Sequence, residues 1–155
     1  MIKLLRVDHR LLHGQVVFSW ANILAPDCIL VADDKVVNDE LRKTTLKLGK
    51  PDNVKLVIKG IDDSIEAING GKTDKYQLMI VVPSVEDAVR LAKACPQVTS
   101  INLGGTKATP QTHSVSKMVN LTDEEEKMLD EVTARGIHVF IQAVPSDTAV
   151  TYKAK

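Results

Sequence analysis

Residues 77–96, QLMIVVPSVEDAVRLAKACP, contain one complete unit of the fold that the whole sequence predicts. Gln77–Val82 is a continuous apolar run of the kind that forms a strand buried on both faces of a sheet. Ser84 can cap the helix that follows, and Asp87 three residues later resembles the second half of a capping box. A helix is therefore predicted at Val85–Ala94, directly after the strand.

The same alternation extends in both directions along the chain. Further strands are predicted at Ile2–Val7, Cys28–Ala32, Val54–Ile58, Thr99–Leu103, Val115–Leu121 and His138–Ala143. Further helices are predicted at Gly14–Leu24, Asn38–Leu48, Asp62–Ile68 and Asp123–Ala134. Unbroken aliphatic strands that alternate with helices indicate a three-layer α/β fold, with a mainly parallel central sheet of about seven strands and helices on both faces.

Two of these helices carry further signals. In the helix at 38–48, Asn38 is the expected cap, and Leu41, Thr45 and Leu48 are expected to face the core. In the helix at 123–134, Thr122 and Glu125 form a predicted capping box.

The composition limits the architecture and the partners. A length of 155 residues suits a single domain over 1–155, and 44% hydrophobic against 3% aromatic residues requires an aliphatic core. A net charge of zero provides no global basic field, so no nucleic-acid partner is expected. No apolar run approaches the roughly 20 residues that span a bilayer, and the first residues do not resemble a secretory signal. Cys28 and Cys95 are predicted to be buried, reduced thiols.

In a parallel sheet, ligand chemistry collects at the carboxyl ends of the strands. This rule selects the loops Asp8–Gln15, Asp33–Asn38, Pro83–Ser84, Gly104–Thr112 and Pro145–Asp147. The first of them is the most densely charged, because RVDHRLLHGQV at 6–16 holds two arginines, two histidines and an aspartate.

This first loop has the residues of a phosphoryl site. Arg10 can bind a phosphoryl group with two hydrogen bonds, Gly14 permits close approach to the backbone, and the free amides at the start of the next helix favour an anion. A histidine here is a plausible phosphoryl acceptor, because neutral imidazole is nucleophilic near pH 7. The alternative is a polar loop whose histidines only bond the backbone.

Two further patterns in these loops resemble known sites, a metal site and a receiver domain. His9 and His13 are four residues apart, as in some zinc sites, but no third ligand is evident. Neither a metal nor a cofactor is therefore expected, and a zinc-dependent hydrolase built on these two histidines is a third hypothesis. Asp33 and Asp34 resemble the acidic pair of a receiver domain, but the other receiver residues are missing, so we expect them to cap a turn or orient the first-loop cations.

The remaining polar residues give weaker signals. The Gly104–Gly105 pair lacks P-loop spacing and could supply amides to a neighbouring anion. His113 and His138 are expected to be structural or exposed. A non-catalytic nucleotide- or sugar-phosphate-binding module of doubly wound type is the alternative function.

The segment RVDHRLLHGQVVFSW resembles the RxDxRLxHGQV signature of the IIB subunits of the mannose/fructose/sorbose class of the bacterial sugar phosphotransferase system (PTS). The likeness continues through VADD at 31–34, NDELRK at 38–43, Gly104–Gly105 and VPSD at 144–147, and covers essentially the whole chain. Two positions depart from the family pattern: His9 stands where the family has a second acid, and Thr106 follows the glycine pair where it has methionine.

The resemblance implies a cytoplasmic phosphocarrier, an N(π)-phosphohistidine–sugar phosphotransferase that is peripherally associated with the membrane permease. His13 matches the phosphorylated histidine, Arg10 the arginine that steadies the phosphoryl group, and Asp8 a supporting acid, while Gly14 and Gln15 lie in the phosphate-binding loop. The implied partners are a IIA protein or domain as donor, the IIC and IID membrane subunits, and a sugar; assembly of several copies is compatible with the sequence.

Overall fold

A computed structural model describes residues 1–154 of the chain. The strands are β1 (Ile2–Asp8), β2 (Cys28–Ala32), β3 (Lys55–Lys59), β4 (Leu78–Val82), β5 (Ser100–Gly105), β6 (His113–Ser114), β7 (Asn120–Leu121), β8 (His138–Ile141) and β9 (Val150–Thr151). The helices are α1 (Gly14–Leu24), α2 (Glu40–Leu48), α3 (Ile61–Asn69), α4 (Val85–Ala94) and α5 (Asp123–Ala134), with a short 3₁₀ turn at Val36–Asn38.

The main sheet has seven strands in the order β3-β2-β4-β1-β5-β8-β9. Every neighbouring pair is parallel except β8 and β9, which run antiparallel. β1 is central, with Val7 opposite Val82 of β4 on one side and Leu103 of β5 on the other. The predicted mainly parallel α/β fold is therefore confirmed.

The apolar strands have their side chains on two buried faces, because alternate residues of a strand point to opposite sides. On one face Leu5, Val7 and Ile80 pack with residues of α3, α4 and α5. On the other face Leu4, Ile29, Val31, Met79 and Val81 pack against Val17 and Trp20 of α1 and Leu46 of α2. The continuous aliphatic runs are thus explained by helices on both sides of the sheet.

Several local predictions are confirmed by the structure. The bounds of α1, β2, α4 and α5 are those predicted, and the other main strands differ by a few residues at their ends. Ser84 accepts a hydrogen bond from the backbone N–H of Asp87, and Thr122 and Glu125 form the predicted capping box. Cys28 and Cys95 are both buried and free, and burial raises the pKa of each thiol.

The predicted inward face of α2 is wrong. Leu41 is 79% exposed and Leu48 is 84% exposed, whereas Leu46 is buried. The cap also differs, since Asp39 accepts the hydrogen bond from the backbone N–H of Arg42. The chain makes a 3₁₀ turn through Asn38 before α2 begins, which moves the helix start by two residues and rotates the face that meets the core.

The single strand predicted at 115–121 is also wrong. Two strands of two residues each, β6 and β7, form an antiparallel hairpin there, separate from the main sheet. The seventh strand of the main sheet is instead β9, at Val150–Thr151, which no sequence signal indicated. Within residues 1–154, no helix is both long enough and apolar enough to cross a membrane.

Candidate functional site: the loop after β1

The loop from His9 to His13 joins β1 to α1 at the carboxyl edge of the sheet. Leu11 lies in its middle with a φ of 60°, a left-handed conformation that is uncommon for a residue other than glycine. Its side chain is only 4% exposed and packs into the core beneath α1, and its backbone N–H donates to the carbonyl of Asp8 at 2.9 Å. The buried Leu11 side chain therefore holds the loop against the core, and the surrounding structure imposes the left-handed backbone conformation of this residue.

Asp8, the last residue of β1, directly precedes this loop and is fully buried. It forms ion pairs with both Arg6 and Arg10. Its Oδ1 accepts from the backbone N–H of Arg10 at 3.0 Å and from Arg10 Nε at 3.2 Å. Its Oδ2 accepts from Arg6 Nη2 at 3.1 Å and from Arg10 Nη2 at 3.3 Å. Both oxygens are thus saturated by cationic or backbone donors, and Arg10 is held in one orientation.

Arg6 is not part of an exposed positive site, although the sequence grouped it with Arg10. It is 2% exposed, donates to Asn102 Oδ1 at 2.8 Å and to the carbonyl of Gln142 at 3.2 Å, and lies 5.5 Å from the centre of the Trp20 ring. Burial lowers the pKa of the Arg6 guanidinium, an effect that neighbouring Asp8 opposes. Arg6 therefore braces Asp8, and of the two arginines only Arg10 reaches solvent, with 27% of its side chain exposed.

Of the two glycines that end β5, Gly104 makes room for the Arg6 guanidinium. A Cβ on Gly104 would lie 2.2 Å from Arg6 Cζ, so any side chain at this position would displace the guanidinium. A Cβ on Gly105 would meet Arg10 Nη2 and Asp8 Oδ1 at an ordinary 3.6 Å. The carbonyl of Gly105 accepts from the backbone N–H of His9 at 3.1 Å, which ties the first loop to β5.

His13 is exposed and occupies the N-cap position of α1, where its side chain makes no capping hydrogen bond. Gly14, with a φ of 46°, and Gln15 follow it and are also exposed. No acidic residue lies in the first turn of α1. The positive end of the helix dipole and its first amides therefore face solvent without a carboxylate to neutralise them, an arrangement that favours an anion.

His9 is turned away from this surface. It lines a cavity of about 420 Å³ together with Pro83, Thr106 and Asn120. Its Nδ1 is buried and has no hydrogen-bond partner among residues 1–154. The two histidines of the loop thus occupy different environments, one partly enclosed and one open.

The acidic pair after β2 caps turns, which is the first of the two roles expected for it. Asp33 Oδ1 accepts from the backbone N–H of Lys35 at 2.8 Å and of Val36 at 3.3 Å. Asp34 Oδ1 accepts from the backbone N–H of Ile61 at 2.8 Å, at the start of α3. The hydrogen bonds and ion pairs of these two aspartates involve neither first-loop arginine within the described residues.

Sequence reasoning missed the polar residues that connect the first loop to the last one. Asn102 donates to the carbonyl of Gln142 at 3.0 Å, and Gln142 Nε2 donates to the carbonyls of Pro145 at 3.2 Å and Asp147 at 2.9 Å. Trp20 Nε1 donates to the carbonyl of Ala143 at 3.1 Å. The available signal was a polar residue inside each of two apolar strand segments, Asn102 in one and Gln142 in the other.

Metal-ligand groups come together elsewhere. His113, Asp123 and Glu126 bring one ligand atom each within 4.8 Å of one another, next to the β6–β7 hairpin, and Glu126 already contacts His113. His9 and His13 belong to no such cluster in the described part of the chain. His113 and His138 are both exposed, as the sequence suggested.

Comparison with known proteins identifies the family. The family model for the PTS system sorbose subfamily IIB component matches residues 2–154. A probable phosphotransferase enzyme IIB component of Streptococcus pyogenes is 33% identical, over 97% of this chain and 96% of that protein. The mannose-specific EIIAB component of Escherichia coli is 29% identical over 95% of this chain, which spans 46% of that longer protein.

The fold leads to the same family. The IIB domain of the sorbose permease from Klebsiella pneumoniae superposes with a TM-score of 0.91 at 25% identity, covering 97% of this chain and 92% of that domain. The resemblance carried by the first loop therefore extends to the whole described structure. The chain belongs to the sorbose subfamily of PTS IIB components.

Proposed function

We propose that the chain accepts a phosphoryl group on His13 from a phosphohistidine of a IIA protein or domain, and passes it to a sugar during uptake through IIC and IID. The observation that carries this proposal is the exposure of His13 at the uncapped start of α1, three residues after an arginine fixed by buried Asp8. Exposure is necessary because two partners must reach the same imidazole in turn.

Arg10 is the residue that stabilises the transferred group. Its Nε and Nη2 point to Asp8, which sets the plane of the guanidinium and leaves its remaining N–H groups for a phosphoryl oxygen. Asp8 acts through Arg10 and is a positioning residue. The amides of Gly14 and Gln15 supply further positive potential at the helix start.

The transfer is a pair of in-line displacements. In the first, the lone pair of a neutral His13 nitrogen attacks phosphorus while the bond from phosphorus to the donor imidazole breaks. The donor ring, protonated on its other nitrogen, leaves as neutral imidazole, and His13 keeps the proton on its own other nitrogen until the second transfer. In the second, a sugar hydroxyl attacks the same phosphorus, loses its proton to solvent or a base of the sugar site, and releases His13. Positioning and charge neutralisation are sufficient for such a transfer, so Arg10 and the loop amides need no metal beside them.

The proposed partners and location follow from the same assignment. The name of the Escherichia coli relative joins an A and a B component in one protein, which supports a IIA donor for this chain. A IIB component that serves a membrane permease acts on the cytoplasmic side as a peripheral subunit. Exchange of one partner for the next suits a site formed by a surface loop and a helix start rather than by an enclosed cavity.

The test is phosphoryl transfer from a ³²P-labelled IIA partner of this family to purified protein. We expect acid-labile label on the wild-type chain and on His9→Ala, and none on His13→Ala. Undiminished label on His13→Ala, or its loss in His9→Ala alone, would move the acceptor to His9 and overturn the assignment. Circular dichroism of all three proteins excludes unfolding as the cause of a loss.

A second experiment separates Arg10 from the fold. Arg10→Ala should slow transfer by about 100-fold, as removal of a donor to a developing oxyanion does in other enzymes. Arg10→Lys keeps the charge but loses the planar fork, so its rate should lie between those of wild type and Arg10→Ala. A near-normal rate for Arg10→Ala would remove Arg10 from the mechanism.

A further inference from the structure

The α3 face of edge strand β3 contains a groove that the phosphoryl chemistry does not use. We call it the four-lysine groove, after Lys55, Lys59, Lys72 and Lys75 in its lining. Its volume is about 510 Å³, within the roughly 300–1,000 Å³ of small-molecule sites. The groove begins at the first residues of β2, β3 and β4, whereas the loop after β1 lies at the opposite, carboxyl edge of the sheet.

The floor of the four-lysine groove is apolar. It consists of side chains from three strands and α3, among them Leu30, Val57, Ala67 and Leu78. Three of these four residues are almost completely buried, so the floor is part of the ordered core rather than a mobile surface. Of these four side chains only that of Val57 is half-buried, so the hydrocarbon that a ligand would cover on this floor is mainly that of Val57.

The carbonyls at the end of α3 are hydrogen-bonded by the turn that follows the helix. Gly71 has a φ of 83°, its N–H donates to the carbonyl of Ile68 at 3.3 Å, and the N–H of Lys72 donates to the carbonyl of Ala67 at 3.1 Å. This is a Schellman ending, in which the last carbonyls of the helix are bonded by the turn that follows. The carbonyls that would repel an anion at a helix C-terminus are therefore already occupied.

The rim of the groove is cationic, and none of its described lining residues is an aspartate or glutamate. One carboxylate lies next to the lining: Asp74 Oδ2 would be 3.3 Å from a Cβ on Gly71. Tyr76 lies between two of the cations: Lys55 Nζ donates to its hydroxyl at 3.0 Å, and the Nζ atoms of Lys55 and Lys75 lie 5.3 and 5.1 Å from its ring centre. The hydrogen bond from Lys55 lowers the pKa of the Tyr76 phenol, and the same hydrogen bond raises the pKa of the Lys55 ammonium group.

Protection of the sheet edge does not explain this arrangement. Lysines on an edge strand discourage pairing with another chain, and that role is sufficient for Lys55 and Lys59 of β3. Lys72 and Lys75 belong to the segment after α3 and face the same groove from its other wall. The groove therefore has cations from two separate segments of the chain, and an anion among them would be attracted by both.

We propose that the four-lysine groove binds a small amphipathic organic anion, with its acidic head group among the lysines and its apolar body on the floor. The charge of the rim selects the head group, and the floor selects a hydrocarbon body over a free inorganic anion. Phosphoryl transfer at His13 plays no part in this binding, so the proposal stands or falls independently of the proposed function.

The test uses decanoate as the probe, titrated into the full chain by calorimetry, with decanol and decylammonium as matched neutral and cationic probes. We expect saturable one-site binding of decanoate, weakening with added salt, and binding of the other two weaker by about tenfold or more. Amide shifts in a ¹⁵N-labelled sample should concentrate at Val57, Ala67 and Thr73. Equal affinity for all three probes, shifts elsewhere, or no saturable binding would overturn the proposal.

Variants locate the site independently. Lys55→Gln/Lys72→Gln removes one cation from each wall, and both side chains are exposed, so the fold should persist. We expect its decanoate affinity to fall by about tenfold or more. The control Lys47→Gln/Lys127→Gln makes the same change in net charge on exposed helix positions outside the groove and should leave the affinity within about twofold. Equal loss in both double variants would show a nonspecific charge effect and would contradict the proposal.

Discussion

Two arginine–carboxylate clusters lie at the carboxyl edge of the sheet and differ mainly in their exposure to water. In one, buried Asp8 is bonded to Arg6 and Arg10. In the other, Arg90 of α4 pairs with Asp34 at 3.5 Å, Asp62 at 3.0 Å and Asp87 at 3.6 Å. Arg90 has 40% of its side chain exposed and Asp62 has 90% exposed, whereas Arg6 and Asp8 have 2% and 0%.

The number of ion pairs in a cluster therefore does not measure the contribution of that cluster to stability. Water screens the Arg90 cluster, and each pair there contributes little to stability. In the Asp8 cluster, loss of one member leaves another charge buried without a partner, which costs far more than the pair itself contributes. The buried cluster is thus a rigid support for the first loop, while the exposed one links the starts of α3 and α4 loosely.

Asp8→Asn should have the largest effect. It leaves the buried Arg6 guanidinium without a counter-charge, and we expect a loss of about 3–5 kcal/mol in the free energy of unfolding, measured by urea denaturation. Adding Arg6→Met to this variant removes the orphaned charge and should restore part of the stability. A single variant that is as stable as wild type would show that Asp8 is not needed to neutralise Arg6.

Gly104→Ala should rank second. Its Cβ would overlap Arg6 Cζ, so the guanidinium must move from Asn102 and Asp8. We expect a loss of about 1–3 kcal/mol by the same urea measurement, in the range of overpacked sites. Gly105→Ala is the matched control, because its Cβ would make only ordinary contacts, and it should cost less than the neighbouring change. Equal losses in the two variants would contradict the steric role assigned to Gly104.

Arg90→Ala should have a smaller effect, although it breaks three ion pairs at once. Because its partners are screened by solvent, we expect a loss of no more than about 1 kcal/mol. The loss should shrink in 1 M salt, where the Debye length is roughly 3 Å. A loss comparable to that of Asp8→Asn would contradict the division between a buried and an exposed cluster.

The smallest effect concerns Asp87, whose pKa is raised mainly by burial despite its hydrogen bond with Ser84 and the nearby charge of Arg90. An acid whose pKa is higher in the folded than in the unfolded state contributes stability below its unfolded pKa, and this contribution is lost as pH rises through the folded value. The stability of wild type relative to Asp87→Asn should therefore be greater at pH 3 than at pH 7. A difference that does not change with pH would contradict the raised pKa.

The strand and helix pattern was predictable from the sequence wherever a segment contained its own start and stop signals. Val85–Ala94 has a cap before it and a proline after it, and its bounds are those predicted. For the segment 38–48 the predicted cap was Asn38, whereas Asp39 caps α2 in the structure, and the choice of cap decides which leucine meets the core. That choice depends on how the preceding 3₁₀ turn packs, which a helical pattern alone does not contain.

The loop that carries the candidate site was predictable, but its architecture was not. The sequence placed Asp8, Arg10 and His13 in one loop, and the carboxyl-end rule placed that loop on the sheet. It could not show that Arg6 points inward, because its hydrogen-bond partners Asn102 and Gln142 are about one hundred residues away or more along the chain. The role of Gly104 likewise depends on its approach to Arg6 across two neighbouring strands.

By itself, the sequence determined the α/β class, the parallel sheet, the aliphatic core and the loop that carries the candidate chemistry, because each follows from local periodicity or from a contiguous motif. Only the tertiary structure decided which of two arginines is buried, why one glycine must lack a side chain, and which lysines share a groove. Those features depend on burial and on distances between residues far apart in the chain, and both quantities exist only once the strands are assembled in their final order.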